Sequence, residues 1–257
     1  MRGIITALSL VVIASVSVHA DDMQKYLNDT QALVREGKHQ EALDRFLWFH
    51  DHALEHQPSM YGVRLSFALS YWKQLGEVYP PALAAMKKTR DDKTGQLVQG
   101  KGTAHLFHDV MALNRTLDED TKTVALFRTL DKDQADMAKQ CWNMAKEAVI
   151  EAKAYDIVRK YIGNPVREWD KAKEMYDTNR SMYGGKNFGA HFKGYNENHF
   201  VEESVRLIDV ALALDDAKAA KEIQEKALAI IDDYRLRDAL PKKKEEKAQR
   251  GDSGDQK

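Results

Sequence analysis

Apolar residues recur every three to four positions along most of the chain, and no stretch shows the alternation of a half-buried strand. Tyr26, Leu27, Ala32 and Leu33 share one helical face up to Gly37, and Ala42, Phe46 and Phe49 mark a partner helix from His39 to His56. Pro58-Ser59 resets the chain, because proline lacks the amide donor that a helix interior needs. The spacing then predicts a helix over Tyr61–Leu75 carrying Leu65, Ala68, Leu69 and Trp72, ended by Gly76. Pro80-Pro81 open the next helix, with Ala82, Leu83 and Met86 inward.

Residues 94–102, with Gly95, Gly100 and Gly102, read as a loop able to act as a hinge. Thr103 can cap a helix to Leu113, Asp118 another to Leu130, and Asp131 or Asp133 a longer one from Gln134. Trp142, Ala145, Ala148 and Val149 fall on one face of a further hairpin, and Tyr155, Val158 and Tyr161 on its partner. Gly163-Asn164-Pro165 is a stop, a cap and a first helical position in succession, opening a helix over Val166–Met182. The last hairpin runs from Phe200 to Tyr234, with Leu207, Val210, Ala211 and Leu214 packed on Ala220, Ile223, Ala227 and Ile230, and Asp215 or Asp216 capping its second helix.

Four hairpins result, over residues 22–56, 59–91, 133–162 and 200–234. None buries its apolar face alone, so they are expected to stack. The fold class is all-α, with about ten to eleven helices and no sheet.

Residues 37–46, Gly-Lys-His-Gln-Glu-Ala-Leu-Asp-Arg-Phe, narrow this further. They resemble the junction of a tetratricopeptide-repeat hairpin: a glycine closes one helix, and Glu-Ala-Leu opens the next with a small residue where two backbones approach. The resemblance covers about half of the chain beyond its first twenty residues, and the units are spaced irregularly where that family repeats about every 34 residues. It implies degenerate repeats, or a related helical solenoid, in a right-handed array. It also implies that inner helices line a concave groove for a protein or peptide partner, and that the chain works by binding and not by catalysis.

The N-terminus adds a location. Met1-Arg2, the apolar run Ile4–Val18 and Val18-His19-Ala20 have the build of a secretory signal peptide cleaved after Ala20. That predicts a periplasmic or secreted protein. No later segment is apolar enough to span a bilayer, which takes about 20 residues. Residues 21–235 are then the helical domain, and 236–257 a charged, disordered tail.

The chain has 39 basic and 40 acidic residues; Arg2 is the one charge in the first twenty, leaving 38 against 40 and a net −2. Such a balance recruits neither nucleic acid nor an anionic surface, and no cofactor is expected. Cys141 is the single cysteine, so no intrachain disulfide forms, and its apolar helical setting predicts an inert buried thiol.

Two constellations carry candidate chemistry. In His50-Asp51-His52-Ala53-Leu54-Glu55-His56, the pair His52 and His56 shares a helical face and can pinch a metal ion. His50 points about 120° away from His56. The letters His52-x-x-Glu55-His56 match an inverted zinc-protease motif, but this chain lacks the strands that carry it. A metal-dependent enzyme built on this helix and the 183–199 segment is the alternative reading. A histidine-rich helix end, favoured by the dipole, is the plainer one. The second constellation is Tyr183–His199, a glycine-rich aromatic stretch read as a long loop. Lys186, Phe188, His191, Phe192 and Tyr195 are its candidate partner contacts; the competing reading has Phe188, Phe192 and Tyr195 capping the core. Arg64 and Tyr71, seven apart on one expected helix, are candidate groove residues. Asn28-Asp29-Thr30 and Asn114-Arg115-Thr116 match the glycosylation sequon.

Overall fold

The computed structural model describes residues 23–183 and 189–241. The expected leader over residues 1–20, Lys186, Phe188 and the residues beyond Pro241 lie outside them. Thirteen α-helices and one 3-10 turn appear among the described residues, and no strand. Two compact units divide the chain, Met1–Lys122 and Thr123–Lys257, and the division falls inside a helix instead of at residues 94–102.

In the first unit, α1 (Met23–Arg35) and α2 (His39–His56) form the first hairpin. Gly37 adopts φ +76°, its N–H donates to Val34 O at 3.1 Å, and Lys38 N–H donates to Leu33 O at 2.9 Å. That pair of bonds satisfies the last carbonyls of α1, and glycine meets the left-handed backbone without a Cβ penalty. Ala42 is fully buried at the start of α2, as a small residue at a close approach should be. A 3-10 turn (Pro58–Met60), α3 (Tyr61–Arg64), α4 (Phe67–Val78), α5 (Pro80–Val98) and α6 (Ala104–Thr116) follow. Phe46, Phe49, Leu69, Trp72, Leu75 and Met86 build one core with Met23 and Leu27. Each such side chain contributes about 1.5–3 kcal/mol by leaving water.

Three expectations are corrected here. The helix expected over 61–75 is two helices, broken at Leu65-Ser66. The Ser66 hydroxyl donates to Gly62 O at 2.7 Å, a competing bond of the kind that bends helices. Gly76 does not end its helix. A Cβ there would meet Leu83 Cβ at 3.0 Å and Leu83 N at 3.2 Å, so Gly76 lets α4 and α5 touch, and Tyr79 before Pro80 makes the stop. Residues 94–98 belong to α5, and only Gln99–Thr103 connect it to α6.

The second unit takes most of α7 (Asp120–Asp133), then α8 (Ala135–Glu151), α9 (Tyr155–Tyr161), α10 (Pro165–Tyr183), α11 (Gly189–Ala213), α12 (Ala217–Leu228) and α13 (Tyr234–Arg237). Local signals set several starts. Asn164 Oδ1 accepts from Val166 N at 2.8 Å and Arg167 N at 3.2 Å. Asp216, not Asp215, caps α12 by accepting from Ala219 N at 2.9 Å. Gln134 occupies the cap position of α8, and Asp118 is a left-handed residue two positions before α7. Phe127, Trp142 and Tyr161 pack as one aromatic group, and Trp169, Tyr176 and Phe200 as another. Cys141 is buried, and burial pushes its thiol up to about 11.

The long loop expected over 183–199 is replaced from Gly189 onward by the first turns of α11. Within the segment expected to be tail, Leu236 is fully buried in α13 and its carbonyl accepts from Gln224 Nε2 at 2.7 Å.

Candidate functional site

Residues marked from sequence distribute unevenly. Arg64 is buried and engaged, not presented on a groove, and it sits on α3 while the half-buried Tyr71 sits on α4 in the core. The two therefore stand on different helices, with Arg64 enclosed. His52 and His56 do lie on one side of α2, but both rings pack on Trp48, at 5.4 and 5.3 Å between centroids. His52 Nδ1 is also 3.2 Å from Glu55 Oε2. Among the described residues no group of three His, Cys, Asp or Glu is placed to hold a metal ion. His191 falls in α11, where its side chain is outside the description. Phe192 is half-buried, and Tyr195 is 65% exposed with its ring parallel to His199 at 6.3 Å. Asn114, in the second sequon, is fully buried and accepts from Arg90 Nη1 at 2.9 Å, so the folded chain does not offer it for glycosylation.

A charged cluster that the sequence did not announce lies inside the first unit. The Arg64 guanidinium from α3 grips the Asp109 carboxylate from α6 with both terminal nitrogens, and Nη1 also donates to His50 O at 2.9 Å. Lys93 from α5 reaches the same carboxylate at 3.0 Å. His50 from α2 is 3% exposed, with Nε2 4.0 Å from Asp109 Oδ2, and neither ring nitrogen has a hydrogen-bond partner. Burial, then the Arg64 and Lys93 cations, push this imidazole down to about 3 against the opposing pull of Asp109. Burial alone would raise the Asp109 carboxyl, but hydrogen bonding from Arg64 and the two cations hold it below the ordinary carboxylate range. The cluster ties four elements together, and its groups are enclosed and mutually satisfied apart from the His50 ring and Arg64 Nε.

An open cleft of about 460 Å³ lies in the second unit, between α8, α10 and α11. Its buried floor is Tyr176 and Phe200, with Trp169 packed beneath, and Met144, Ala172 and Met175 add apolar wall. Charges at the rim are held in place by one another. Glu168 accepts from Lys146 at 3.0 Å and Lys171 at 2.5 Å, and Arg206 bridges Glu203 at 3.0 Å and Glu147 at 3.6 Å. The two lysines therefore hold the Glu168 carboxyl below its ordinary range although burial raises it. Asn196, 5% exposed, donates to Tyr176 O at 3.1 Å and accepts from Asn179 Nδ2 at 3.3 Å, locking α10 to α11 along the cleft. His199 lines it as well, so one end of the segment singled out from sequence borders a concave surface, though as helix. An apolar floor with a few fixed polar groups is the ordinary make-up of a binding site.

Set against protein-family models, curated proteins and solved structures, the chain matches none of them.

Proposed function

We propose that this chain is an exported binding module of degenerate tetratricopeptide-like hairpins, and that the α8/α10/α11 cleft receives a short peptide segment of a partner protein. The single observation that carries the reading is the cleft itself, apolar below and ringed by charges of both signs. Lys146, Lys171 and Arg206 face Glu147, Glu168 and Glu203, so the rim selects for neither a strongly acidic nor a strongly basic ligand. Such a rim suits the carbonyls, amides and mixed side chains of a peptide. Met175, 58% exposed, adds a soft apolar shoulder beside the floor, and methionine adapts to irregular partners. The Gly37–Phe46 junction and the buried Ala42 support the repeat assignment, and the basic, apolar and small-residue order of the first twenty residues supports export.

The test is site-specific. A photo-crosslinking residue placed at Met175 should join the protein to one discrete partner segment in an envelope or secreted fraction. Ala172→Trp, which fills the cleft, should abolish that product with the melting temperature unchanged. A crosslink at Met175 that survives Ala172→Trp, or one obtained equally from the exposed Phe67 in the first unit, would refute the assignment of the cleft.

A further inference from the structure

A third polar group lies in the first unit, on the side of α6 that carries His105 and His108. These residues are three apart on one helix, which places their rings on one face. Tyr61, the first residue of α3, lies against both. Its hydroxyl is 2.6 Å from His108 Nδ1 and 3.5 Å from His105 Nδ1. The Tyr61 ring is edge-on to His105 at 5.9 Å and tilted to His108 at 5.5 Å. The Nδ1 atoms of both imidazoles therefore face the one phenol oxygen.

We propose that Tyr61, His105 and His108 form a binding site for one late first-row transition-metal ion, with Cu(II) the preferred occupant and solvent the fourth ligand. The spacing suits the chemistry. With metal–ligand bonds near 2.0–2.1 Å, neighbouring donors in square or tetrahedral coordination sit about 2.9–3.4 Å apart. The two oxygen–nitrogen distances, 2.6 and 3.5 Å, bracket that interval, so small ring rotations would bring each nitrogen to ligand spacing from the phenol oxygen. Imidazole suits copper and zinc, and affinity for a given nitrogen and oxygen site peaks at Cu(II).

The surroundings are compatible. His105 is exposed while Tyr61 and His108 are half-buried, which leaves an entry path and an open position. Asp109 acts electrostatically on both Tyr61 and His108 but is already paired with Arg64 and Lys93, so the ion's charge is met by Tyr61 itself, whose phenol gives its proton to solvent as it becomes a ligand. Arg64, 6.0 Å from the Tyr61 ring, is already neutralised by that carboxylate. Arg115 is the remaining cation acting on His108. This group shares no residue with the His52/His56 pair, and it needs no fourth protein ligand.

The experiment is titration of the full-length protein with Cu(II) alone, followed by calorimetry and by absorption spectroscopy. One equivalent should bind, with a phenolate-to-copper charge-transfer band that a site made only of histidines cannot produce. Tyr61→Phe should remove the band and weaken binding by about tenfold or more, the scale on which even supporting residues act. His105→Gln, at an exposed position, should weaken it at least as much with the circular dichroism spectrum unchanged. The His52→Ala/His56→Ala double variant should bind as the parent does. Three results would overturn the proposal: no saturable binding, equal affinity and spectrum in Tyr61→Phe, or loss of the stoichiometric site only in the His52/His56 variant.

Discussion

Asp109→Asn should be among the most damaging single substitutions in the first unit. The carboxylate accepts from both terminal nitrogens of Arg64 and from Lys93 at 3.0 Å, and it is 6% exposed. An amide of the same shape removes the negative charge and leaves two cations facing each other around a buried, neutral His50. Breaking a buried pair by deleting one partner costs about 3–5 kcal/mol, and the second stranded cation places this variant near the upper end. Arg64→Met behaves differently, because Asp109 keeps Lys93 as counter-ion and methionine fills part of the space. That change should cost about 2–3 kcal/mol, mostly the lost bonds to Asp109 and His50 O. The double variant Arg64→Met/Asp109→Asn should lose less than the sum of its parts, since no charge but Lys93, 16% exposed in its side chain, is left behind. Urea denaturation of the four proteins at pH 7 measures all three differences. A loss below about 1 kcal/mol in Asp109→Asn, the range of a solvent-screened surface pair, or a larger loss in Arg64→Met than in Asp109→Asn, would refute this account of the cluster.

The remaining predictions concern the same structural logic. His50 has a folded-state pKa of about 3 against an ordinary 6.5, so the unfolded chain binds its proton first as pH falls. Its contribution to stability is therefore intact above pH 6.5 and lost downward through the window to pH 3, at up to about 1.4 kcal/mol per pH unit. Unfolding curves at pH 7, 5.5 and 4.5 should show a slope that His50→Phe flattens; an unchanged slope would mean that the imidazole is not neutral and enclosed. Gly76→Ala should destabilise by about 1–3 kcal/mol, the range of overpacking, because the new methyl meets the Leu83 backbone at 3.2–3.3 Å. A neutral or stabilising result in a thermal melt would show that α4 and α5 can separate freely. Asn164→Ala should cost about 1 kcal/mol by freeing the Val166 and Arg167 amides, while Asn164→Asp should cost little; equal losses in the two variants would argue against capping.

Helix identity and most of the hairpin boundaries were legible in the sequence because their causes are local. The 3.6-residue period names the buried face, and Gly37, Asn164 and Asp216 act on backbone groups no more than five residues away. Even so, a local reading gave Gly76 the wrong role: a glycine that stops a helix and one that admits a neighbouring helix look alike until the neighbour is in place. The 183–199 segment misled similarly, since its glycines suggested a loop while Asn196, Phe200 and Ser204 hold that part of α11 to α10.

By itself the sequence determined an all-helical chain with its turns and inward stripes, since periodicity and capping are written residue by residue. Only the tertiary structure decided where charges and rings converge. Arg64 meets Asp109 across 45 positions, Tyr61 meets His108 across 47, and Asn179 meets Asn196 across 17. No spacing rule links such partners, because the helices between them set the distance. Packing alone turned Arg64 from an apparent surface contact into a buried anchor, and it made the α8/α10/α11 cleft, whose floor and rim come from three helices that each look ordinary in sequence.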